Sequence, residues 1–264
     1  MFTIDKYVVA ESLEQAFELN KNRRNVIIGG ILWLKMGRKK IGTAIDLSAL
    51  GLNSIEENDE SFKIGCMCTL RDIEIHKGLN VCFNGLLAKS VESIVGVQMR
   101  NLATIGGSIY SRFGFSDILT ALLALDTYVE LYKGGIVTLD KYMDMPLDND
   151  ILVRIIIKKD SRKVSYLSHR LSATDFPVLT CAVSNTGAKW SVVYGARPMK
   201  AKLSQFELSE NPGSEEIDEA ISKVVDETSF GTNIRGSKEY RQILADVLSK
   251  RNIEEIINGG NYAN

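Results

Sequence analysis

The sequence predicts an α+β fold, and three observations support this prediction. A strand–helix–strand pattern fills residues 1–55. In the middle of the chain, a hairpin pattern precedes an almost continuously apolar run at 151–157. Beyond residue 161, three strand patterns are followed by three helical ones. A chain of 264 residues with 45% apolar content can bury a full core and is long enough for two domains.

The first 55 residues predict a small β-α-β unit. A short strand is expected at 7–10. Ser12 followed three residues later by Gln15 is a capping box, which opens a helix. The apolar run 26–28 is typical of a buried strand, and a further strand is expected at 43–47.

The middle of the chain alternates helices and strands. Residues 116–125 are apolar around the whole helical circumference, which predicts a buried helix. The run 151–157 predicts a central strand. The other expected elements are a strand from Phe62, a helix capped at Thr69, a helix over 86–95, and a hairpin with strands at 128–132 and 136–139.

The polar, basic segment 158–163 predicts a domain boundary. We expect strands at 164–170, 178–184 and 189–194, and helices near 200–208, 215–226 and 237–250. The chain then divides into a first domain at 1–160, with subdomains at about 1–55 and 56–160, and a C-terminal domain at 161–264. The C-terminal domain is expected to be α+β, with a three-stranded sheet and helices. The Asn- and Gly-rich end at 258–264 predicts fraying.

The composition argues against several classes of function. The net charge is −1, so no global basic field is present to hold nucleic acid, and the cations at 35–40 are interpreted as a solvated turn. The beginning of the chain lacks a signal-peptide pattern, and no apolar stretch reaches the roughly 18 residues of a membrane span. We expect a cytoplasmic protein with neither a nucleic-acid nor a membrane partner.

The cysteines and histidines predict no metal site. The four cysteines are interpreted as buried thiols in a reducing compartment: Cys66, Cys68, Cys82 and Cys181. With His76 and His169 as the two histidines, neither zinc nor an iron–sulfur cluster has a credible ligand set.

Two glycine pairs are the most informative feature of the chain. Gly29-Gly30 follows an apolar run, and Gly106-Gly107 lies within Thr-Ile-Gly-Gly-Ser at 104–108. A Gly pair after a strand lets backbone N–H groups approach a phosphate where a Cβ would clash. Two such turns from separate subdomains can hold the two phosphates of one dinucleotide. A plain strand-to-helix turn at Gly29-Gly30 is the alternative.

Several motifs, in a fixed order, resemble those of one family. They are Ile-Gly-Gly at 28–30, Ile-Gly-Cys-Met-Cys-Thr-Leu-Arg-Asp at 64–72, Arg-Asn-Leu-Ala-Thr-Ile-Gly-Gly at 100–107, Ser-Asp-Ile-Leu at 116–119, Asp-Phe-Pro-Val at 175–178, Gly-Ala-Arg-Pro at 195–198, and Ser-x-x-Tyr-Arg at 237–241. Over nearly its whole length, the chain resembles the FAD-binding (medium) subunit of the molybdenum hydroxylases, the xanthine dehydrogenase and carbon-monoxide dehydrogenase family.

The resemblance implies a two-subdomain FAD-binding fold of the vanillyl-alcohol-oxidase-like (PCMH) type at 1–160, followed by the C-terminal domain. It also implies a set of FAD-binding residues and no catalytic side chain. These residues are Val26, Ile27, Ile28, Gly29, Gly30, Ile31, Leu32 and Trp33 in the first turn, Thr104, Ile105, Gly106, Gly107 and Ser108 in the second, and Ile94, Asp117, Leu152, His169 and Arg170 elsewhere. Neither turn contains His or Cys, so the FAD is expected to be held without a covalent bond.

Other interpretations of single residues remain open. Asp117 also suits the first turn of a helix, where an acid interacts with the dipole. Trp33 and Met36 fit a helix stripe that packs in a core. His169 fits a surface histidine. The family usually has polar residues where Ile31 and Leu32 stand, so phosphate recognition here would depend on the main chain.

The resemblance implies an oxidoreductase subunit that transfers electrons. Its partners would be a molybdopterin-binding large subunit and a [2Fe–2S] small subunit in a heterotrimer. FAD would take electrons from the [2Fe–2S] clusters and pass them to NAD⁺ or another acceptor. Two alternatives are a flavin-free structural subunit, suggested by Ile31-Leu32, and a stand-alone flavin oxidoreductase.

Overall fold

A computed structural model describes residues 2–259, so the predicted fraying of 260–264 lies outside the described residues. The strands are β1 Thr3–Val9, β2 Val26–Ile28, β3 Lys40–Asp46, β4 Ile55–Glu57, β5 Ser61–Gly65, β6 Thr127–Leu131, β7 Gly135–Thr138, β8 Leu152–Lys158, β9 Lys163–His169, β10 Leu179–Thr186, β11 Lys189–Gly195 and β12 Lys202–Glu207. The α-helices are α1 Leu13–Asn20, α2 Leu70–Ile75, α3 Lys77–Cys82, α4 Leu86–Val91, α5 Val97–Arg100, α6 Ile105–Tyr110, α7 Asp117–Leu123, α8 Leu139–Asp144, α9 Ser214–Glu227 and α10 Lys238–Ile257. The predicted mixture of helices and sheets is confirmed.

The chain forms two compact units that alternate along the sequence. Within the described residues, unit 1 comprises 2–73, 96–111 and 127–159, and unit 2 comprises 74–95, 112–126 and 160–259. One junction falls between Lys159 and Asp160, inside the polar segment 158–163.

Unit 1 begins with the predicted β-α-β unit. β1 and β2 both pair with β3 in parallel, and the register sets Ile28 opposite Asp46. Ser12 caps α1 by accepting a hydrogen bond from the amide of Gln15 at 3.1 Å. The strand expected at 7–10 begins earlier, at Thr3.

Unit 1 also contains a five-stranded sheet of order β4-β5-β8-β6-β7. β8 is the middle strand, and Ile155 and Ile157 on it are fully buried. The predicted central strand is therefore confirmed. The expected hairpin is β6 and β7, which pair antiparallel from Tyr128 opposite Thr138 to Leu131 opposite Gly135.

Unit 2 is built around an antiparallel sheet of order β12-β11-β10-β9, with α9 and α10 contributing to the core against it. The core includes Tyr194 on β11 and Ile221 on α9, both fully buried. All seven residues of α7 are buried, as the all-apolar pattern predicts.

The C-terminal sheet has four strands, so the predicted three-stranded sheet is wrong. Residues 202–207, expected in a helix near 200–208, form the edge strand β12. Its half-buried residues include Leu203 and Phe206, and the Phe206 ring stacks on Trp190 with centroids 6.5 Å apart. Pairing with β11 satisfies the backbone, and this tertiary contact outweighs the local helical pattern.

No helix among residues 2–259 is long and apolar enough to cross a membrane.

Candidate functional site

The two glycine turns meet within unit 1. β2 ends at Ile28, and the chain turns at Gly29 and Gly30. A Cβ on Gly30 would overlap the carbonyl oxygen of Leu102, and a Cβ on Gly29 would lie 2.6 Å from Oγ1 of Thr104. Approaches this short exclude a side chain. The first turn therefore packs directly against the segment that leads into the second.

The second glycine pair lies in the first turn of α6. Thr104 is its N-cap residue, and Thr104 Oγ1 accepts a hydrogen bond from the amide of Gly107 at 3.2 Å. A Cβ on Gly106 would lie 2.6 Å from the carbonyl oxygen of Cys66. Gly107 is exposed, and a Cβ there would approach Oγ1 of Thr104 at 3.0 Å. Packing therefore requires glycine at 106 but not at 107.

The amides of the second turn are bonded within the protein. The bonds are Ile105 N to Cys68 O at 2.9 Å, Gly106 N to Cys66 O at 2.9 Å, Gly107 N to Thr104 Oγ1 at 3.2 Å, and Ser108 N to Thr104 O at 3.0 Å. The Ser108 hydroxyl also donates to the Thr104 carbonyl, at 3.0 Å. This differs from the expectation that 104–108 offers donors to a phosphate, because the helix cap and residues 66–68 already use them.

The amides of the first turn are different. Those of Gly30, Ile31 and Leu32 have no hydrogen-bond acceptor among residues 2–259. Ile31 has φ = 48°, in the left-handed region that a β-branched residue rarely adopts. Such a conformation costs on the order of 1–3 kcal/mol and is typical of ligand sites. Consecutive unpaired N–H groups in a turn of this kind can bind an anion.

The residues after the first turn are exposed. Trp33 is 42% exposed and Met36 is 74% exposed, so the interpretation that they pack in a core is wrong. They lie in or next to a short 3₁₀ turn at Leu34–Met36. A short turn presents fewer residues to a core than the helix stripe on which that interpretation depends.

Asp117 lies in unit 2, where its carboxylate is buried and paired. Its Oδ1 accepts hydrogen bonds from the Tyr166 hydroxyl at 2.8 Å and from Nη2 of Arg170 at 2.5 Å. Tyr166 is on β9 and Arg170 follows directly after the end of that strand. Arg170 Nη1 also donates to the Asp175 carbonyl, at 2.5 Å, while its buried Nε has no partner within residues 2–259.

Burial dominates the titration of this cluster. Desolvation raises the pKa of Asp117 from 3.8 to about 6, although Arg170 and the Tyr166 hydroxyl both lower it. Burial, with the neighbouring Asp117 charge, likewise raises the pKa of Tyr166 well above 10. Asp117 is thus both a first-turn helix acid and half of a buried ion pair.

His169 is half-buried and bonded in unit 2. Its Nε2 lies 3.0 Å from the Tyr240 hydroxyl, and the two rings meet edge to face. A fully solvated surface histidine is therefore not what the structure shows.

The structure brings some of the predicted site residues together. Val26–Ile28 lie half-buried in β2 beside the two glycine turns. Leu152 is buried at the start of β8, where the next residue, Val153, accepts a hydrogen bond from the amide of Cys66 at 3.0 Å. Unit 2 holds the other predicted residues, namely Ile94, Asp117, His169 and Arg170.

Sequence reasoning missed two contacts. Leu102, whose carbonyl lies against Gly30, has no signal in a single sequence because the contact is made by backbone. Tyr166 does have one, since its spacing of four residues from Arg170 on a predicted strand places both on one face.

The cysteines near the second turn are buried thiols. Burial raises the pKa of Cys66 to about 12 and that of Cys68 to about 11, so both remain protonated at neutral pH. Among the described residues, no group of three or more His, Cys, Asp and Glu side chains is placed to hold a metal ion.

A family model described as the FAD-binding domain in molybdopterin dehydrogenase matches residues 2–159. The chain belongs to this family. The predicted family membership is confirmed, and so is the prediction that the cofactor is FAD. The chain is thus an oxidoreductase flavoprotein subunit of the molybdenum hydroxylase type.

Relatives and solved structures agree with this family. The chain is 30% identical over 132 residues to the 6-hydroxypseudooxynicotine dehydrogenase complex subunit alpha of Paenarthrobacter nicotinovorans. This match covers 47% of this chain and 44% of that protein. Its fold matches quinoline 2-oxidoreductase from Pseudomonas putida 86 with a TM-score of 0.86 at 17% identity, over 98% of this chain and 99% of that one. It also matches carbon monoxide dehydrogenase from Hydrogenophaga pseudoflava, in a form that lacks the Mo-pyranopterin moiety of the molybdenum cofactor. That match has a TM-score of 0.82 at 18% identity and covers 97% of this chain and 98% of that one.

Replacement by alanine is expected to destabilise the chain at Gly106 but not at Gly107. Gly106→Ala places a Cβ against the Cys66 carbonyl, and overpacking of this kind costs about 1–3 kcal/mol. Gly107→Ala meets a single hydroxyl and gains helix propensity, so its stability should stay within about 1 kcal/mol of the wild type. Urea unfolding of both variants measures the difference. Equal stability of the two variants would contradict the packing described.

The Thr104 cap is expected to support FAD binding. Thr104→Val removes the acceptor of the Gly107 amide and should cost about 1 kcal/mol of stability, with a clear loss of retained flavin. Thr104→Ser keeps the acceptor and should retain FAD. Flavin released per chain and urea midpoints are the measurements.

Thr138→Val is the matched control, because Thr138 occupies an N-cap position without a side-chain capping bond. Flavin retention that is the same in Thr104→Val and Thr138→Val would rule out this role of the cap.

Asp117 predicts a specific dependence of stability on pH. Its pKa is raised in the folded chain, so the folded state binds a proton more tightly than the unfolded state between pH about 4 and about 6. Stability should therefore fall as pH rises through this window. Relative to Asp117→Asn, the loss should be at most about 3 kcal/mol. Unfolding free energies from pH 4 to 8 test this, with exposed Asp59→Asn as the control. A wild-type stability that rises with pH relative to that of Asp117→Asn would contradict this prediction.

Proposed function

We propose that this chain is the FAD-carrying electron-transfer subunit of a multi-subunit molybdenum hydroxylase. It would receive electrons from the [2Fe–2S] clusters of a small partner subunit, while a large partner subunit holds molybdopterin. Electrons would leave to NAD⁺ or another acceptor. We further propose that the complex is a cytoplasmic heterotrimer. We also propose that the chain divides by sequence into an FAD-binding domain at 1–160 and a C-terminal domain at 161–264, a division that differs from that of the two compact units because those alternate along the chain.

The unpaired amides of Gly30, Ile31 and Leu32 carry this proposal. They fit a diphosphate, because three consecutive N–H groups lie at a turn that has no room for a side chain at Gly30. Phosphate recognition at this turn depends on the main chain, as Ile31 and Leu32 offer no polar side-chain atoms. These amides therefore support a site in which the first turn binds the diphosphate of FAD.

The charge distribution supports an anionic ligand. No Asp or Glu occurs between residues 19 and 45 or between 93 and 116, although the chain has 33 acidic residues. These two segments contain both glycine turns. A carboxylate a few ångströms from a diphosphate would cost on the order of 1–4 kcal/mol, depending on solvation.

The second turn has a supporting role in this proposal. Helix α6 is fixed by the Thr104 cap and by bonds to residues 66–68, and the segment that leads into it, Leu102 to Thr104, forms the surface on which the first turn lies. The nearby thiols of Cys66 and Cys68 are buried and protonated, which supports non-covalent attachment.

When bound, FAD supplies a group that accepts electrons singly and releases them as a pair. The residues of this chain would bind and orient it. No side chain of the chain need transfer a proton in that step, which agrees with the proposed absence of catalytic residues.

The names of relatives support the partner subunits. The family description refers to molybdopterin dehydrogenase, one relative is a subunit of a dehydrogenase complex, and one structural match belongs to an enzyme with a molybdenum cofactor.

A charge placed at Gly107 tests the proposed phosphate site. Gly107 is exposed, and both Asp and Asn fit there with the same Cβ contact. An acid in the first turn of a helix favours the helix, so Gly107→Asp should fold normally. We expect Gly107→Asp to weaken FAD binding about tenfold or more relative to Gly107→Asn. Flavin content and FAD titration of the stripped chain are the measurements.

The visible spectrum of the purified chain and its response to NADH distinguish the three functions. Bound flavin that NADH reduces anaerobically supports the proposal. A colourless chain that also refuses added FAD supports the flavin-free subunit. Bound flavin reduced by a small organic substrate without any partner supports a stand-alone oxidoreductase.

A further inference from the structure

An apolar groove lies beside the first glycine turn in unit 1. Its volume is about 340 Å³. One side is formed by Leu32, Trp33, Lys35 and Met36, and the other by Gln98, Met99 and Leu102. We call it the Trp33 groove.

The Trp33 groove is open and lined by large apolar side chains. Trp33, Met36 and Leu102 are all exposed, on two segments joined by the contact between Gly30 and Leu102. Single exposed apolar residues are ordinary, but a cluster around a cavity marks an interaction site. Trp and Met are also among the residues enriched at protein interfaces.

Four cations adjoin the groove. Lys35 lines it, and Arg38, Lys39 and Lys40 lie two to four residues after Met36 along the chain. We call these four cations the basic rim. None of the four has an ion-pair partner in the described part of the chain. Both segments that form the groove belong to the stretches without carboxylates. In a chain of net charge −1, this is a local basic and apolar surface.

We propose that the Trp33 groove docks an acidic segment of the [2Fe–2S] partner subunit. An apolar side chain of the partner enters the groove beside Trp33 and Met36, and partner carboxylates pair with Lys35, Arg38, Lys39 and Lys40. The proposal rests on the proposed function.

Two observations select this occupant. The basic rim is complementary to carboxylates, and complementary charges set specificity and association rate. Leu32 and Trp33 belong both to the groove and to the segment 26–33 assigned to FAD, so a protein docked here lies beside the cofactor. Docking in such a position would bring an electron donor close to the cofactor.

The test uses the chain co-expressed with the [2Fe–2S] and molybdopterin subunits of its complex. Met36→Glu places a charge in the groove, and Lys39→Glu reverses one charge of the rim. Matched controls on unit 2 are Val81→Glu, an apolar residue that is 85% exposed, and Lys223→Glu, an exposed lysine. Affinity for the [2Fe–2S] subunit, flavin per chain and far-UV circular dichroism are measured for each.

We expect Met36→Glu and Lys39→Glu each to weaken binding of the [2Fe–2S] subunit about tenfold or more. Flavin content should stay at the wild-type level, and both controls should bind normally. Raising salt should weaken the wild-type complex more than the Lys39→Glu complex. Lys39→Glu changes an exposed side chain, so it keeps the test decisive if Met36→Glu misfolds.

Trp33 provides an independent signal. The other tryptophan, Trp190, is buried in unit 2, so acrylamide quenching reports mainly on Trp33. Quenching should fall when the [2Fe–2S] subunit binds, and this change should be absent in Trp33→Phe.

Other outcomes overturn the proposal in recognisable ways. Normal partner binding by both groove variants shows that the partner docks elsewhere. Loss of flavin with partner binding intact assigns the groove to the cofactor. Dimerisation of the isolated chain that Met36→Glu abolishes assigns it to a second copy. If the wild type binds FAD but forms no complex at all, the proposed function fails first and the docking surface fails with it.

Discussion

The contact between the two glycine turns determines the arrangement of the candidate site. Gly30 lies so close to the carbonyl of Leu102 that no side chain fits between them, and Thr104 occupies the space beside Gly29. These residues are about seventy positions apart, so the contact ties the end of the parallel sheet to helix α6. Gly29, Gly30 and Gly106 are explained by packing of protein against protein before any ligand is considered.

This contact assigns different tasks to the two turns. The second turn uses its N–H groups for the helix cap and for the carbonyls of Cys66 and Cys68, which makes it rigid. The first turn then rests on that rigid support with its own N–H groups unpaired. The left-handed conformation of Ile31 costs free energy in the isolated chain. A bound diphosphate would accept hydrogen bonds from these amides and would therefore stabilise this conformation of the first turn.

Strong periodic or continuous patterns made much of the fold predictable from the sequence. The apolar runs of β8 and α7 predict buried elements because no polar side chain competes for either face. The edge strand β12 was not predictable, since pairing with β11, and not its own residues, selects a strand.

The candidate site was predictable in its residues but not in its bonds. A glycine pair shows where a side chain is excluded, but a single sequence does not say whether a phosphate or a carbonyl fills the space. The sequence likewise places Trp33 near the first turn, yet its exposure depends on how the short turn after it packs. Backbone contacts such as that of Leu102 leave no trace in residue identity.

Electrostatics explain how an acidic chain can hold an anionic cofactor. The carboxylates are absent from the stretches that contain the glycine turns, so net charge says little about the local field. Asp117, the acid that follows directly after one of these stretches, has its charge compensated by Arg170 and the Tyr166 hydroxyl. A buried carboxylate without such partners would be strongly unfavourable, because its surroundings screen charge poorly. The Tyr166 hydroxyl and the Arg170 guanidinium therefore allow Asp117 to remain buried within unit 2, whereas the glycine turns of unit 1 avoid this cost because their stretches contain no carboxylate.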